Sequence, residues 1–168
     1  MSEERDTYER LKAWPTPEDE FCTCPDGTPI KLMWALGPNP IRCLRCNGEV
    51  RPERLSLSVS EVSAVGEWSA VAGAIEMLEL DSGAYEEWAR RQLLDPQSPV
   101  NIDGREVVAM LNEKERCYFW FFQQQSDDDF VPLSTCPYCG EPLTRYDDGI
   151  FPQLLCEKDS FVVVGASG

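Results

Sequence analysis

Downstream of Arg51-Pro52 the apolar positions recur at intervals of three and four, whereas on either side of that stretch they form short runs bounded by Pro, Gly and Asp. The first regime predicts helix and the second strand. Val65, Trp68, Val71, Ala72, Ile75 and Leu78 mark one buried helical face, and Asp81-Ser82-Gly83 stops it. Ser82 is placed to cap a second helix, Ala84 to Leu94, whose Tyr85, Trp88 and Leu93 are assigned to the core. Asp103 is placed to cap a third, running through Val107, Val108 and Leu111 to Glu115. Cys117-Tyr118-Phe119-Trp120-Phe121-Phe122 has the composition of a strand buried on both faces. Gln123 to Asp129 reads as a polar loop. Its three adjacent Asp could attract Ca²⁺ or a basic partner, but a solvated loop tip is the simpler assignment.

Before the helical stretch, residues 2 to 13 predict a short polar helix with Tyr8, Leu11 and Trp14 as a weak apolar stripe, ended by Pro15 and Pro17. Phe21 to Cys24 and Thr28 to Leu36 predict strands around the turn Pro25-Asp26-Gly27. After the aromatic strand, Tyr146-Asp147-Asp148-Gly149 predicts a hairpin turn. The expected fold is α+β: two short β-ribbons flanking a three-helix middle and a buried aromatic strand. The segments are 1–19 (polar), 20–56 (first ribbon), 57–133 (helical middle with the strand) and 134–168 (second ribbon).

Composition changes this picture in two respects. Apolar residues make up 42% of the 168-residue chain, enough for a core, and the net charge is −15. Such a surface repels phosphate over a Debye length of about 8 Å at physiological salt, and favours a basic protein partner over nucleic acid. The eight Cys would suggest disulfides in a secreted chain, but the start Met1-Ser2-Glu3-Glu4-Arg5-Asp6 is charged with no apolar run behind it. A reducing cytoplasm is therefore expected, where grouped thiols bind metal. No apolar stretch approaches the roughly 20 residues of a membrane helix.

The grouping of the thiols names the metal. Cys43-Leu44-Arg45-Cys46-Asn47-Gly48 and Cys136-Pro137-Tyr138-Cys139-Gly140 have zinc-knuckle spacing, in a chain without histidine. Cys22 and Cys24 can complete the first site, giving Cys-x-Cys-x18-Cys-x2-Cys. Cys156 and Asp159 can complete the second, as Cys-x2-Cys-x16-Cys-x2-Asp, with Asp159 where a standard ribbon has its fourth Cys. A carboxylate binds Zn²⁺ at about 2.0 to 2.2 Å, so Cys₃Asp is a workable donor set. The rival arrangement joins Cys43, Cys46, Cys136 and Cys139 in one shared site, so one or two structural Zn²⁺ are expected. Each four-anion site adds about −2 relative to neutral thiols, since binding displaces their protons. Cys136-Pro137-Tyr138-Cys139 is also a glutaredoxin active-site string. Such a redox pair must open a helix, however, and Gly140 and Pro142 spoil one. Cys117 is assigned to the core.

The chain resembles uncharacterised bacterial proteins described as zinc-ribbon-containing and candidate nucleic-acid-binding proteins. The likeness rests on Pro40 to Val50, the helical middle, the aromatic strand, the Cys136 to Gly140 knuckle and a closing Cys-x-x-Cys that here reads Cys156-Glu157-Lys158-Asp159. It covers roughly residues 28 to 165, with only the knuckles specific. More loosely, it is similar to double Cys-x-x-Cys-Gly proteins, which include toxin-immunity members. Two functions follow. One is a protein-interaction module with structural zinc, acting on a basic partner as an inhibitor or immunity factor. The other is nucleic-acid binding through Arg42, Arg45, Arg51 and Arg54, which lie within thirteen residues opposed by only Glu49 and Glu53. An enzyme is not expected, because the chain has no histidine base and no phosphate-cradling Gly-rich motif, and neither four-ligand site has an open position.

Overall fold

The computed structural model describes residues 6–12, 15–34, 37–124 and 130–165. Six strands form one sheet: β1 (Ile30–Leu32), β2 (Ile41–Cys43), β3 (Cys117–Trp120), β4 (Thr144–Tyr146), β5 (Gln153–Cys156) and β6 (Phe161–Val164). Their order is β2-β1-β3-β6-β5-β4. β3 lies in the middle and pairs in parallel with both neighbours, Ile30 opposite Cys117 and Phe119 opposite Phe161. The outer pairs are antiparallel. All four β3 residues are buried, as a strand with covered faces on both sides requires. The two expected ribbons are thus halves of a single sheet joined through β3, which their sequence spacing does not reveal.

Three helical segments lie between β2 and β3: α1 (Val59–Asp81), α2 (Glu86–Leu94) and α3 (Pro99–Leu111). The expected three-helix middle reduces to two substantial helices, with the nine-residue α2 linking them. α3 packs on β1 and β3, and α1 packs on α3 and α2. Alternation along β3 sends Cys117 and Phe119 to the helical side and Tyr118 and Trp120 to the other, where they join Leu44, Leu155 and Val162. Trp68 meets Phe119 edge-on at 6.1 Å and donates its indole N–H to Val100 O at 2.9 Å. Gly104 makes this possible. A Cβ there would lie 2.4 Å from the Phe119 ring and 2.6 Å from the Trp68 nitrogen.

Several local expectations give way to other caps and faces. α1 begins at Val59, where Ser58 and Glu61 form a reciprocal capping box. Ser82 closes α1 instead of capping α2, and its hydroxyl donates back to Leu78 O. Ser98, not Asp103, caps α3, accepting from Asn101 N–H with Pro99 in the first turn. Tyr85 and Trp88 are 61% and 44% exposed rather than core, because α2 buries only the Ala89 and Leu93 side. Val71 likewise faces outward, at 53%.

Phe21 to Cys24 does not pair with the next strand. Cys22 N–H donates to Glu49 O and Glu49 N–H to Glu20 O, so this segment runs beside the chain leaving the first knuckle. Gln123 is buried and not part of a loop surface: its amide donates to Val164 O and accepts from Leu133 N–H. Of residues 2 to 13, Glu9–Leu11 form a 3₁₀ turn that buries Leu11. Trp14, Leu36 and Asp127 to Asp129 lie outside the described residues. Among the described residues no helix is long and apolar enough to cross a membrane.

Candidate metal centres

Both knuckles use the same backbone turn. In the first, Cys43 N–H donates to Gly48 O and Asn47 N–H to Cys43 O. In the second, Cys136 N–H donates to Glu141 O and Gly140 N–H to Cys136 O. The residue after the second cysteine is left-handed in each, Asn47 at φ 60° and Gly140 at φ 75°. Gly48 is therefore not the turn-former its position after the knuckle suggests. Its role is close approach, since a Cβ there would lie 2.9 Å from Cys22 N. The turn from β5 to β6 has the same left-handed residue: Ser160, at φ 49°, follows Asp159. Asp159 thus occupies a knuckle's second ligand position.

The first centre gathers Cys22, Cys24, Cys43 and Cys46, whose sulfurs all lie within 4.8 Å of one another. Cys43 terminates β2, and the Cys22–Cys24 segment is brought over it by the Glu20 and Glu49 hydrogen bonds. Cys24 N–H points at Cys22 Sγ and Gly48 N–H at Cys46 Sγ, both at 3.4 Å. Buried Asn39 braces the base: its amide donates to Val50 O at 2.8 Å and Glu49 Oε1 at 3.1 Å while accepting from Ile41 N–H. Burial, followed by the neighbouring thiols, raises the Cys22 and Cys24 pKa values. Cys46 is also opposed by burial, but the Gly48 N–H and hydrogen bonds from the other three thiols bring it net below the ordinary value. The cluster thus favours a thiolate at Cys46, and a cation that displaces the remaining protons relieves the crowding.

The second centre gathers Cys136, Cys139, Cys156 and Asp159, again within 4.8 Å. Cys139 and Cys156 sulfurs are 3.6 Å apart, and Asp159 Oδ2 lies 3.2 Å from Cys136 Sγ and 3.6 Å from Cys156 Sγ. A hydrogen bond from Cys139 is the main cause of the lowered Asp159 pKa, with further bonds from Cys136 and Cys156 and the Arg105 charge acting the same way. Burial pushes Cys136 up to about 12. The other carboxylate oxygen, Oδ1, accepts from Arg105 Nη2 at 3.4 Å, and the guanidinium stacks on Tyr138 at 3.7 Å.

These donor sets fit Zn²⁺. Bonds of about 2.3 Å to sulfur and 2.1 Å to oxygen place tetrahedral neighbours about 3.6 to 3.8 Å apart. In the second centre the 3.6 Å contacts of Cys156 with Cys139 and Asp159 match that spacing, the Asp159–Cys136 contact is shorter at 3.2 Å, and all lie far outside the roughly 2.05 Å of a disulfide. All eight cysteines are free thiols. The structure brings together the two local ligand sets and not the set shared across the insert. Cys117 stands apart on β3, fully buried, with burial raising its pKa. Cys136 to Cys139 opens no helix; the next element is β4.

The four arginines do not converge on a free face. Arg54 is clamped by Glu115, Asp26 and Thr28 O; Arg51 pairs with Glu18 and stacks on Phe21; Arg42 reaches Glu49 at 3.9 Å. Arg45 is exposed without an ion pair among the described residues. Sequence reading missed Arg105 and Asn39. Arg105 lies 54 positions from Asp159, and no local pattern joins them. Asn39, in a Pro-Asn-Pro turn, carried a weak signal as a polar residue beside a knuckle. No protein-family model, curated protein or solved structure matched this chain.

Proposed function

We propose that this chain is a protein-interaction module held in shape by two structural Zn²⁺, whose acidic surface engages a basic protein as an inhibitor or immunity-type partner. One observation carries the reading: seven thiols and one carboxylate, drawn from four separate stretches of chain, form two four-donor groups whose ligand atoms all lie within 4.8 Å of one another. Without a cation, each group leaves buried thiols facing one another or a carboxylate. With Zn²⁺ bound, Cys22, Cys24, Cys43 and Cys46 would hold one ion and Cys136, Cys139, Cys156 and Asp159 the other. The metal would supply cross-linking of short hairpins and no chemistry. Four protein donors at each site leave no position for a reacting water, which supports a structural over a catalytic role.

The net charge of −15, made more negative by each loaded site, supports a basic partner. A nucleic-acid role has less support, because carboxylates already engage Arg42, Arg51 and Arg54. Elemental analysis of reduced, freshly purified protein should give two zinc per chain, and strong chelation should lower the melting temperature and change the far-UV spectrum. Metal-free protein with an unchanged spectrum overturns the structural-zinc reading. Nanomolar binding to DNA or RNA that falls steeply with salt, and is abolished by Arg42→Ala with Arg45→Ala, would favour the nucleic-acid function instead.

A further inference from the structure

α1 is an unusual helix for a surface layer. Over Val59–Asp81 it carries five acidic residues and no basic one, and it is apolar on both sides. Val62, Val65, Trp68, Ala72 and Ile75 face the core, while Val71, Met77 and Leu80 are more than half exposed. A helix apolar on its outer side is normally covered. Beside Val71 the chain has a groove to receive the cover. A cavity of about 440 Å³ runs between α1 and α3, its apolar lining given by Ala64, Trp68 and Val71 on one side and Val100, Val107 and Met110 on the other. Each helix presents these residues at helical spacing, so the groove follows the helix axes.

The remaining lining residues are Glu67, Asp103 and Glu106, and no Lys or Arg lines the groove. Glu67 shares its carboxylate with Arg10 at 3.5 Å, whereas Asp103 and Glu106 have no ion pair among the described residues. Arg105, between them in sequence, is turned to Asp159 and Tyr138. We infer that this groove receives an amphipathic helix of a partner protein, with an apolar stripe laid on Trp68, Val71 and Val107 and Lys or Arg beside Glu67, Asp103 and Glu106. The helix-in-groove mode matches the apolar floor, and the carboxylate rim selects for positive charge. A second copy of this chain would bring a like-charged surface to the same rim. The inference rests on the partner-binding reading above and gives it a location.

The test uses the full-length, zinc-loaded protein and a synthetic peptide of about four helical turns, with a Leu stripe at helical spacing and Lys elsewhere. A second peptide of identical composition, with the stripe scrambled, is the control. The striped peptide should bind at least tenfold more tightly than the scrambled one, more weakly with rising salt, and with amide shifts centred on α1 and α3. Val71→Lys, and separately Asp103→Lys with Glu106→Lys, should each reduce its affinity tenfold or more, whereas Asp147→Lys on the β4–β5 turn should not. Equal binding of both peptides, indifference to the groove variants, or dimerisation of the chain relieved by Val71→Lys overturns the proposal. A native basic partner whose binding ignores the groove variants would sink the groove alone. Metal-free protein would sink the zinc reading and leave the groove standing.

Discussion

The two candidate metal centres differ in how the backbone holds their donors. The first takes two ligands from a knuckle and two from Cys22-Thr23-Cys24, a segment that meets the sheet through the isolated bridge between Phe21 and Glu49 and the hydrogen bonds around it, not through a strand ladder. The second takes Cys156 and Asp159 from the turn of the β5–β6 hairpin, which has four paired registers and leads straight into the central strands. So the first centre has four thiols, two of them on an arm outside the strand ladders, and the second has a mixed donor set with two of its members on a strand hairpin. Ligand strength and scaffold strength are distributed oppositely. The consequence is that removing metal should unfold chain at the first centre and should leave the fold at the second.

The largest effect expected from this contrast is on the first centre. Cys43→Ser removes a buried ligand at the end of β2 and should release the Cys22–Cys24 arm, lowering stability by several kcal/mol. Hydrogen exchange should then show loss of protection over roughly residues 15 to 28 and across β2. Cys136→Ser should lose its metal as well but keep protection in β5 and β6. Equal collapse in both variants would erase the distinction. Next in size is the donor difference. Under graded chelation the Asp159 centre should give up its zinc first, and Asp159→Cys should bring the two release steps together, read by metal analysis of the retained protein. A first release from the Cys₄ centre would reverse the assignment.

A smaller effect is expected at Arg105, which holds Asp159 Oδ1 while Oδ2 faces the sulfurs. Arg105→Met should weaken metal at the second centre about 10- to 100-fold, the usual cost of losing an outer hydrogen bond to a ligand, without touching the first. A loss at both centres would mean that Arg105 acts through α3 packing instead of through the carboxylate.

How much of this contrast is visible before the structure depends on the range over which each feature is encoded. The ligand sets are visible because the Cys-x-x-Cys spacing is local, and so is the substitution at Asp159. The β4–β5 hairpin is visible for the same reason, through the local turn Tyr146-Asp147-Asp148-Gly149. The parallel pairing of Ile30 with Cys117 is not, since nothing in either run specifies a partner 87 residues away. Helix limits slipped where two capping side chains competed: Ser98 and Asp103 both suit an N-cap, and Pro99 decides for Ser98 by fixing the first turn. Trp88 and Tyr85 misled because aromatic character implies burial only on average, and α2 has a single turn of contact with the core.

The smallest expected effect concerns the link between the centres. Lys31 on β1 is fully buried, donates to Gln153 Oε1 at 3.0 Å and lies over the Phe151 ring, while Gln153 Nε2 donates to Leu44 O inside the first knuckle. Gln153 begins the strand that ends at Cys156, so this chain of contacts runs from one knuckle to a ligand of the other. Burial lowers the Lys31 pKa to about 8 from its ordinary 10.5, with the Cys43 thiolate pulling the other way. That gap corresponds to a destabilisation of about 3 kcal/mol, present in full below pH 8 and relieved as pH climbs from 8 toward 10.5, where the unfolded chain holds the extra proton. Lys31→Met removes the charge penalty but strands Gln153 Oε1, a loss of about 1 to 3 kcal/mol, so the two terms nearly cancel at neutral pH. The telling measurement is therefore the difference between wild type and Lys31→Met in urea unfolding across this pH range, in which the titration of cysteines remote from Lys31 drops out, leaving Lys31 together with its coupling to Cys43 and Cys46. Wild type should gain on the variant as pH rises. A difference that stays flat would mean that Lys31 keeps its proton in the sheet, held by the thiolates of the first centre more strongly than burial opposes it.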